Sequence, residues 1–138
     1  MKGILLILIL TTNCTFAQSA KIDSLVSIIV NANVVSGYNK GINGIISPEY
    51  QAYQGLIRTC KSEDLIALCK HQNPCVRCYA FLALIHTNKN RAEEIFSNAE
   101  IDHEEVTLIS GCFGQRITVS DFMKSRGREI ENPLIFRF

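Results

Sequence analysis

Apolar residues recur at helical spacing through most of this chain. Between Ser19 and Val35 they fall at Ile22, Leu25, Val26, Ile29 and Val30, which predicts a helix stopped by Gly37. The β-branched content of the same stretch also leaves a strand open. Ser36–Ile46 carries Gly37, Gly41 and Gly44 and reads as a loop. Its glycines do not follow the dinucleotide-binding spacing, and no Gly-Lys-Ser/Thr follows them, so a phosphate cradle is not expected. Ser47-Pro48 then marks a helix start, with serine as cap and proline at the first helical position. Tyr50, Tyr53, Leu56, Ile57 and Cys60 line one stripe behind it. Ser62 is read as the cap of a second helix. Its buried side is Leu65, Ile66, Leu68 and Cys69, and Lys70 and His71 sit at its negative end. Asn73-Pro74 repeats the cap-and-proline signal.

The helix that follows, Pro74–Lys89, has almost no polar face. Val76, Ala80, Ala83 and Leu84 share one side. Cys78, Phe81, Leu82 and Ile85 cover most of the other, and Arg77 and His86 interrupt the surface. Such a helix must be packed from several directions, so it is placed at the centre. Asn90 with Glu93 resembles a capping box for a fourth helix that turns Ala92, Ile95, Phe96 and Ala99 inward. In Glu105–Val119, Val106 and Leu108 alternate with polar positions, as do Ile117 and Val119. A short hairpin and a helix followed by a loop both fit. Thr118 and Asp121 suit the cap of a short helix over Thr118–Ser125, and Asn132–Phe136 reads as extended.

The amino terminus has a different pattern. Lys2 precedes an unbroken apolar run, Gly3–Leu10, too short to span a bilayer. Thr15-Phe16-Ala17 then places small residues where a signal peptidase cuts. Residues 1–17 are therefore expected to be a signal peptide, and residues 18–138 one mainly helical domain in the periplasm or cell envelope. Phe16-Ala17-Gln18 resembles the ends of export signals common in Bacteroidetes-type bacteria. Lipid anchoring at Cys14 is the rival, but Asn13 stands where lipoprotein signals carry a small residue. No later stretch is apolar enough to be transmembrane.

The segment Pro74, Val76, Arg77, Ala80, Ala83 and Leu84 resembles the second helix of a HEAT-type repeat, with Ser62–Lys70 as the first helix of the pair. The resemblance covers about residues 47–99. It implies an all-α, or mainly α, compact HEAT-like antiparallel bundle with room for a short C-terminal hairpin. It also implies a scaffold or binding surface and no catalytic residue. A chain with one readable repeat falls short of the stack that closes a solenoid core, so a compact bundle is expected. The layout is also similar to small exported proteins of Bacteroidetes-type bacteria.

Composition narrows the function classes. Of the 138 residues, 47% are apolar, which excludes whole-chain disorder. Fourteen Lys and Arg against thirteen Asp and Glu give a net charge of +1, with no electrostatic reason to expect nucleic acid. The acidic stretch Glu93–Glu105 and the basic Lys124, Arg126 and Arg128 read as solvated faces. Cysteine is the one chemical anomaly. Cys14 would leave with the signal peptide, and Cys60, Cys69, Cys75, Cys78 and Cys112 remain, an odd set in a compartment that permits disulfides. As small hydrophobes they suit helix faces, and Cys60 and Cys69 extend apolar stripes. Cys69, His71, Cys75 and Cys78 are alternatively four ligands for zinc, which needs a tetrahedral set. Cys75-Val76-Arg77-Cys78 at a helix start is also a candidate redox pair, although the βαβ context of thioredoxins is missing. His71, His86 and His103 have no partner fixed by spacing. Glu104 and Glu105 are adjacent and form no facing pair of carboxylates. The reading is an exported, non-enzymatic binding or scaffold module for a protein partner, with no cofactor. A thiol-redox or zinc-binding protein using Cys69 to Cys78 is the alternative.

Overall fold

The computed structural model describes residues 2–40, 45–98 and 100–131. Ten elements follow in chain order: α1 (Lys2–Ala32), β1 (Val35–Lys40), β2 (Ile45–Ile46), α2 (Pro48–Thr59), α3 (Ser62–Leu68), α4 (Pro74–Thr87), α5 (Lys89–Asn98), β3 (Glu105–Gly111), β4 (Phe113–Thr118) and α6 (Val119–Glu131). The chain is mainly helical, as its periodicity predicts. It is not all-α, because the strands form one sheet in the order β2-β1-β3-β4. No helix among the described residues is long and apolar enough to cross a membrane.

Helix α4 is the centre. From Cys75 to Leu84 every residue but Arg77 is buried, and α1, α2, α3, α5 and α6 all pack against it. Its start is fixed locally. The Asn73 side chain accepts the N–H groups of Cys75 and Val76 at 2.9 and 3.2 Å, and Pro74 occupies the first turn, where its missing N–H costs nothing. Ser47 starts α2 in the same way, its Oγ accepting from Tyr50 N–H at 3.3 Å. Helix α1 lies close along α2. A Cβ on Gly55 would come within 2.8 Å of Leu25 Cδ2, so any larger residue there would have to displace the end of the Leu25 side chain.

Several boundaries differ from the expected ones. The first helix stops at Ala32, before Gly37. Asn33 takes the left-handed conformation at φ 51°, and its N–H bonds Ile29 O at 3.0 Å. The segment read as a loop is strand from Val35 to Lys40, with Ile45–Ile46 paired to it, while Gly41 and Gly44 lie outside the described residues. The β1 pairing is nonlocal: Val35 lies beside Leu108 in a parallel ladder, with helices α2 to α5 between them in sequence. The cap of α3 falls at Lys61, whose N–H donates to Asp64 Oδ2 at 2.9 Å, and Ser62 is already helical. The cap of α5 is Asn88, not Asn90. Its Oδ1 accepts from Arg91 N–H at 3.3 Å, while its own N–H closes α4 on Leu84 O at 2.8 Å and its amide reaches Ser62 Oγ at 3.2 Å. Ala92 and Ile95 turn toward the core as expected, Phe96 is partly exposed, and Ala99 lies outside the described residues.

Of the two readings of Glu105–Val119, the hairpin is the one found. Ser110 pairs with Phe113 around Gly111-Cys112, and Gly111 has φ 57°, as the first position of a type II′ turn requires. Val106 and Leu108 point into the core. Thr118 caps α6 by accepting from Asp121 N–H at 3.1 Å. That helix runs on to Glu131, past the expected Ser125. The extended tail expected at Asn132–Phe136 lies outside the described residues.

The burial of α4 sets a measurable cost. Leu84 is fully buried, so Leu84→Ala is expected to lower stability by about 2–5 kcal/mol. Glu93→Ala on the exposed side of α5 is expected to change it by less than about 0.5 kcal/mol. Urea melts of the two variants check this, and equal losses would contradict the burial pattern.

Candidate functional site

The cysteines and histidine singled out in the sequence lie around the α3–α4 junction. Cys69 caps the C-terminus of α3, and Cys75 and Cys78 sit one turn apart on the buried start of α4. The backbone N–H of His71 closes the end of α3 on Leu68 O at 3.0 Å, but its side chain is turned away from that helix end. It lies in the turn, where Nδ1 accepts the N–H of Asn73 at 3.0 Å, so this nitrogen is engaged with backbone. No group of three or more His, Cys, Asp or Glu among the described residues is arranged to hold a metal ion. Cys60, Cys69, Cys75, Cys78 and Cys112 are free thiols, and Cys112 alone of these is exposed.

Thiolate is the form that binds metal and attacks disulfides, and this packing opposes it. Burial pushes the Cys69 thiol up to about 12. Burial also pushes Cys75 up to about 11, with Arg77 pulling only partly the other way. Cys78 is raised as well, by burial first and then by the neighbouring Cys75. Helix-start position and a nearby arginine, which favour a reactive pair in the sequence, are outweighed by desolvation.

Arg77 has another task. Its Nε and Nη2 grip Asp102 Oδ2 and Oδ1 at 2.8 and 3.2 Å, Nη2 also reaches Glu104 Oε2 at 3.0 Å, and Nη1 donates to the carbonyls of His71 and Gln72 at 2.8 and 3.0 Å. The side chain is only 11% exposed. It clamps the α3–α4 turn to the acidic segment before β3, which is stitched to α6 in turn: Asp102 N–H donates to Ser120 Oγ at 2.6 Å and Val119 N–H to Glu104 O at 2.9 Å. Part of the acidic stretch is therefore a structural counter-charge, not simply a solvated face.

A buried polar cluster joins β1 to the helices, and the sequence reading did not anticipate it. Tyr79 OH accepts the N–H of Ser36 at 2.8 Å and donates to its carbonyl at 3.0 Å. Ser36 Oγ donates to Glu49 Oε1 at 2.7 Å and lies 2.9 Å from Ser47 Oγ, which donates to Gly37 O at 3.1 Å. Glu49 is 1% exposed. A glutamate in the first turn of a helix usually stands in water near the positive helix end, so nothing local marks this one as buried. Burial raises the Tyr79 hydroxyl above its ordinary range, with the Ser36 bonds acting in the opposite direction.

Two surface features could meet another molecule. One is an open groove of about 550 Å³ between α3, α5 and α6, lined by Ile66, Cys69, Ile95 and Met123 with Lys70 and Glu100 at its rim. Other charged residues along it are already occupied, Arg91 with Glu94 and Asp102 with Arg77. The other is β4, the outer strand of the sheet. Residues 113–116 are all exposed, and Phe113 is 84% exposed. The closing pair of a two-residue hairpin exchanges both backbone bonds, and such pairs alternate along the ladder. Phe113, Gln115 and Ile117 thus bond to β3, while Gly114, Arg116 and Thr118 direct N–H and C=O outward. Edge strands are normally blunted by lysine, proline or a bulge. β4 has no lysine, proline or bulge, and its one charged side chain, Arg116, is 75% exposed and paired with Glu105 at 2.8 Å. Alternation around Gly111-Cys112 was the available sequence signal for the hairpin. The sequence reading assigned Phe113 no role, and its exposure was not anticipated.

Two measurements check these assignments. Arg77→Lys keeps the charge but not the planar fork, and is expected to cost about 1–3 kcal/mol in denaturant melts through the groups it leaves unbonded. The thiols give a pH dependence. They ionise near 9.0 in an unfolded chain and hold their protons to about 11 or 12 at Cys75 and Cys69. Between those limits the folded state binds more protons, so stability is full below pH 9 and falls as pH rises through that window. Urea midpoints should drop from pH 8 to pH 10.5, and drop less in Cys69→Ala. An unchanged slope would contradict the assignment.

No protein-family model matches this chain, and no curated protein or solved structure is found to be similar to it.

Proposed function

We propose that this chain is an exported, non-enzymatic binding module that recognises a protein partner in the periplasm or cell envelope of a bacterium. The observation that carries the reading is the open edge of β4, with Phe113 beside a row of outward backbone donors and acceptors. An extended segment laid along such an edge gains main-chain hydrogen bonds, and side-chain contacts then select it. In this reading α3 and α4 form a single HEAT-like unit built into a compact body, with the sheet in place of further repeats. Its role in this reading is to hold the hairpin rigidly. The export part of the reading rests on the sequence pattern at the other end of the chain, where α1 runs unbroken through residues 17 and 18. Phe16 is 79% exposed and Ala17 is exposed, whereas Gln18 donates from Nε2 to Thr59 O at 3.1 Å. A cut after Ala17 would leave the helix-to-body contact in the mature chain.

The test combines location and capture. N-terminal sequencing of protein from the envelope fraction is expected to begin at Gln18. An intact Met1 on cytoplasmic protein would overturn export, and an acylated Cys14 would replace it with lipid anchoring. Immobilised wild-type chain is expected to retain a specific protein from the native envelope fraction, either this same chain or another. Phe113→Ala, with an unchanged melting curve, is expected to lose it. Equal retention by both would remove β4 from the function.

A further inference from the structure

We infer that the partner seated on β4 is a second copy of this chain, joined strand to strand across a two-fold axis at Gln115. The inference rests on the binding role of β4 proposed above and names its occupant. It follows from which registers the edge permits. Gly114, Arg116 and Thr118 direct their backbone groups outward, so two antiparallel β4 strands can pair only where outward-bonding residues oppose one another. Two symmetric registers keep the longest overlap. Centring the axis on Arg116 sets two guanidinium groups face to face, which like charges directly opposite disfavour, and leaves Phe113 beyond the end of the pairing.

Centring it on Gln115 resolves both problems. Phe113 then lies opposite the partner's Ile117 in a non-hydrogen-bonded pair, the type in which side chains come closest. Phe113 is 84% exposed and Ile117 half-buried, so each covers apolar surface of the other. On the opposite face Arg116 meets the partner's Gly114, which has no side chain to obstruct it. Gly114 itself has open space, its nearest neighbour being Thr107 Cγ2 at 4.0 Å. At the axis the two Gln115 amides can bond each other. The large-against-small and apolar-against-apolar matches occur together in this register and not in its rival. The result joins two four-stranded sheets into one continuous sheet and removes both β4 edges. The opposite edge, β2, is two residues long and offers little to pair with.

The register makes a specific cross-link prediction. In a Cys112→Ser background, Gln115→Cys places two thiols at the axis with Cα atoms about 4.5 Å apart, within disulfide reach. Arg116→Cys places them on a diagonal at roughly 7–8 Å or more, outside it. We expect the purified wild-type chain to sediment as a dimer, and Gln115→Cys to form a disulfide-linked dimer in air while Arg116→Cys does not. Phe113→Ala and Gly114→Pro are expected to weaken the dimer by about tenfold or more with melting curves unchanged. Proline at 114 removes an outward N–H without touching the β3 ladder, and should it perturb folding, Phe113→Ala decides. A wild-type chain that stays monomeric at its solubility limit would overturn the inference, as would equal cross-linking at 115 and 116. If that monomer still captures a different protein through Phe113, the binding role stands and only the occupant is wrong. If neither assay responds to β4 variants, both fall.

Discussion

One phenol hydroxyl couples the two layers of this molecule. Strand β1 bonds β3 on one side, but on the other side, among the described residues, β2 pairs with Asn39 and Lys40 alone. Ser36 would be buried with its N–H and C=O unbonded, at a cost of about 1–3 kcal/mol for each group. Tyr79 OH satisfies both at once, and it can do so because α4 is already fixed by packing on all sides. The order of dependence is then clear. The apolar helix positions Tyr79, Tyr79 secures β1, and β1 templates β3, which carries β4. The placement of the outer strand thus traces back to a helix whose residues from Cys75 to Leu84 are buried except Arg77.

The cysteines are best understood from the same helix. Where α4 meets α3 the space suits small apolar side chains, and a protonated thiol supplies volume with little polarity. The spacing from Cys69 to Cys78 is compatible with a ligand set when read as a string. Folded, two of the residues face the packed start of a helix and His71 braces a turn. Close sequence spacing on a helix and its cap says little about a shared centre until burial is known.

How far the sequence could be read depended on the range of the forces involved. The starts of α2 and α4 were legible because their caps are made within three residues, by Ser47 and Asn73. The central place of α4 was legible because a helix without a polar face has only one home. Strand β1 was not, since the partner that makes Val35–Lys40 a strand lies beyond four helices, and its glycine imitated a loop. The starts of α3 and α5 shifted by one or two residues because Lys61 caps through a carboxylate three residues on, and Asn88 serves two helices. Glu49, the Arg77 clamp and the exposure of Phe113 were hidden for a common reason. Each is ordinary in its local context and acquires its meaning only from a neighbour distant in sequence.

Asn88 has an implication for how this chain can vary over evolutionary time. It ends α4, begins α5 and reaches back to Ser62 at the head of α3. There is no slack at that junction to absorb a length change. Adding or removing one residue there would turn α5 by about 100° about its own axis. That rotation would swing Ala92 out of the core and bring a charged neighbour toward it. Length changes should therefore be purged at this corner.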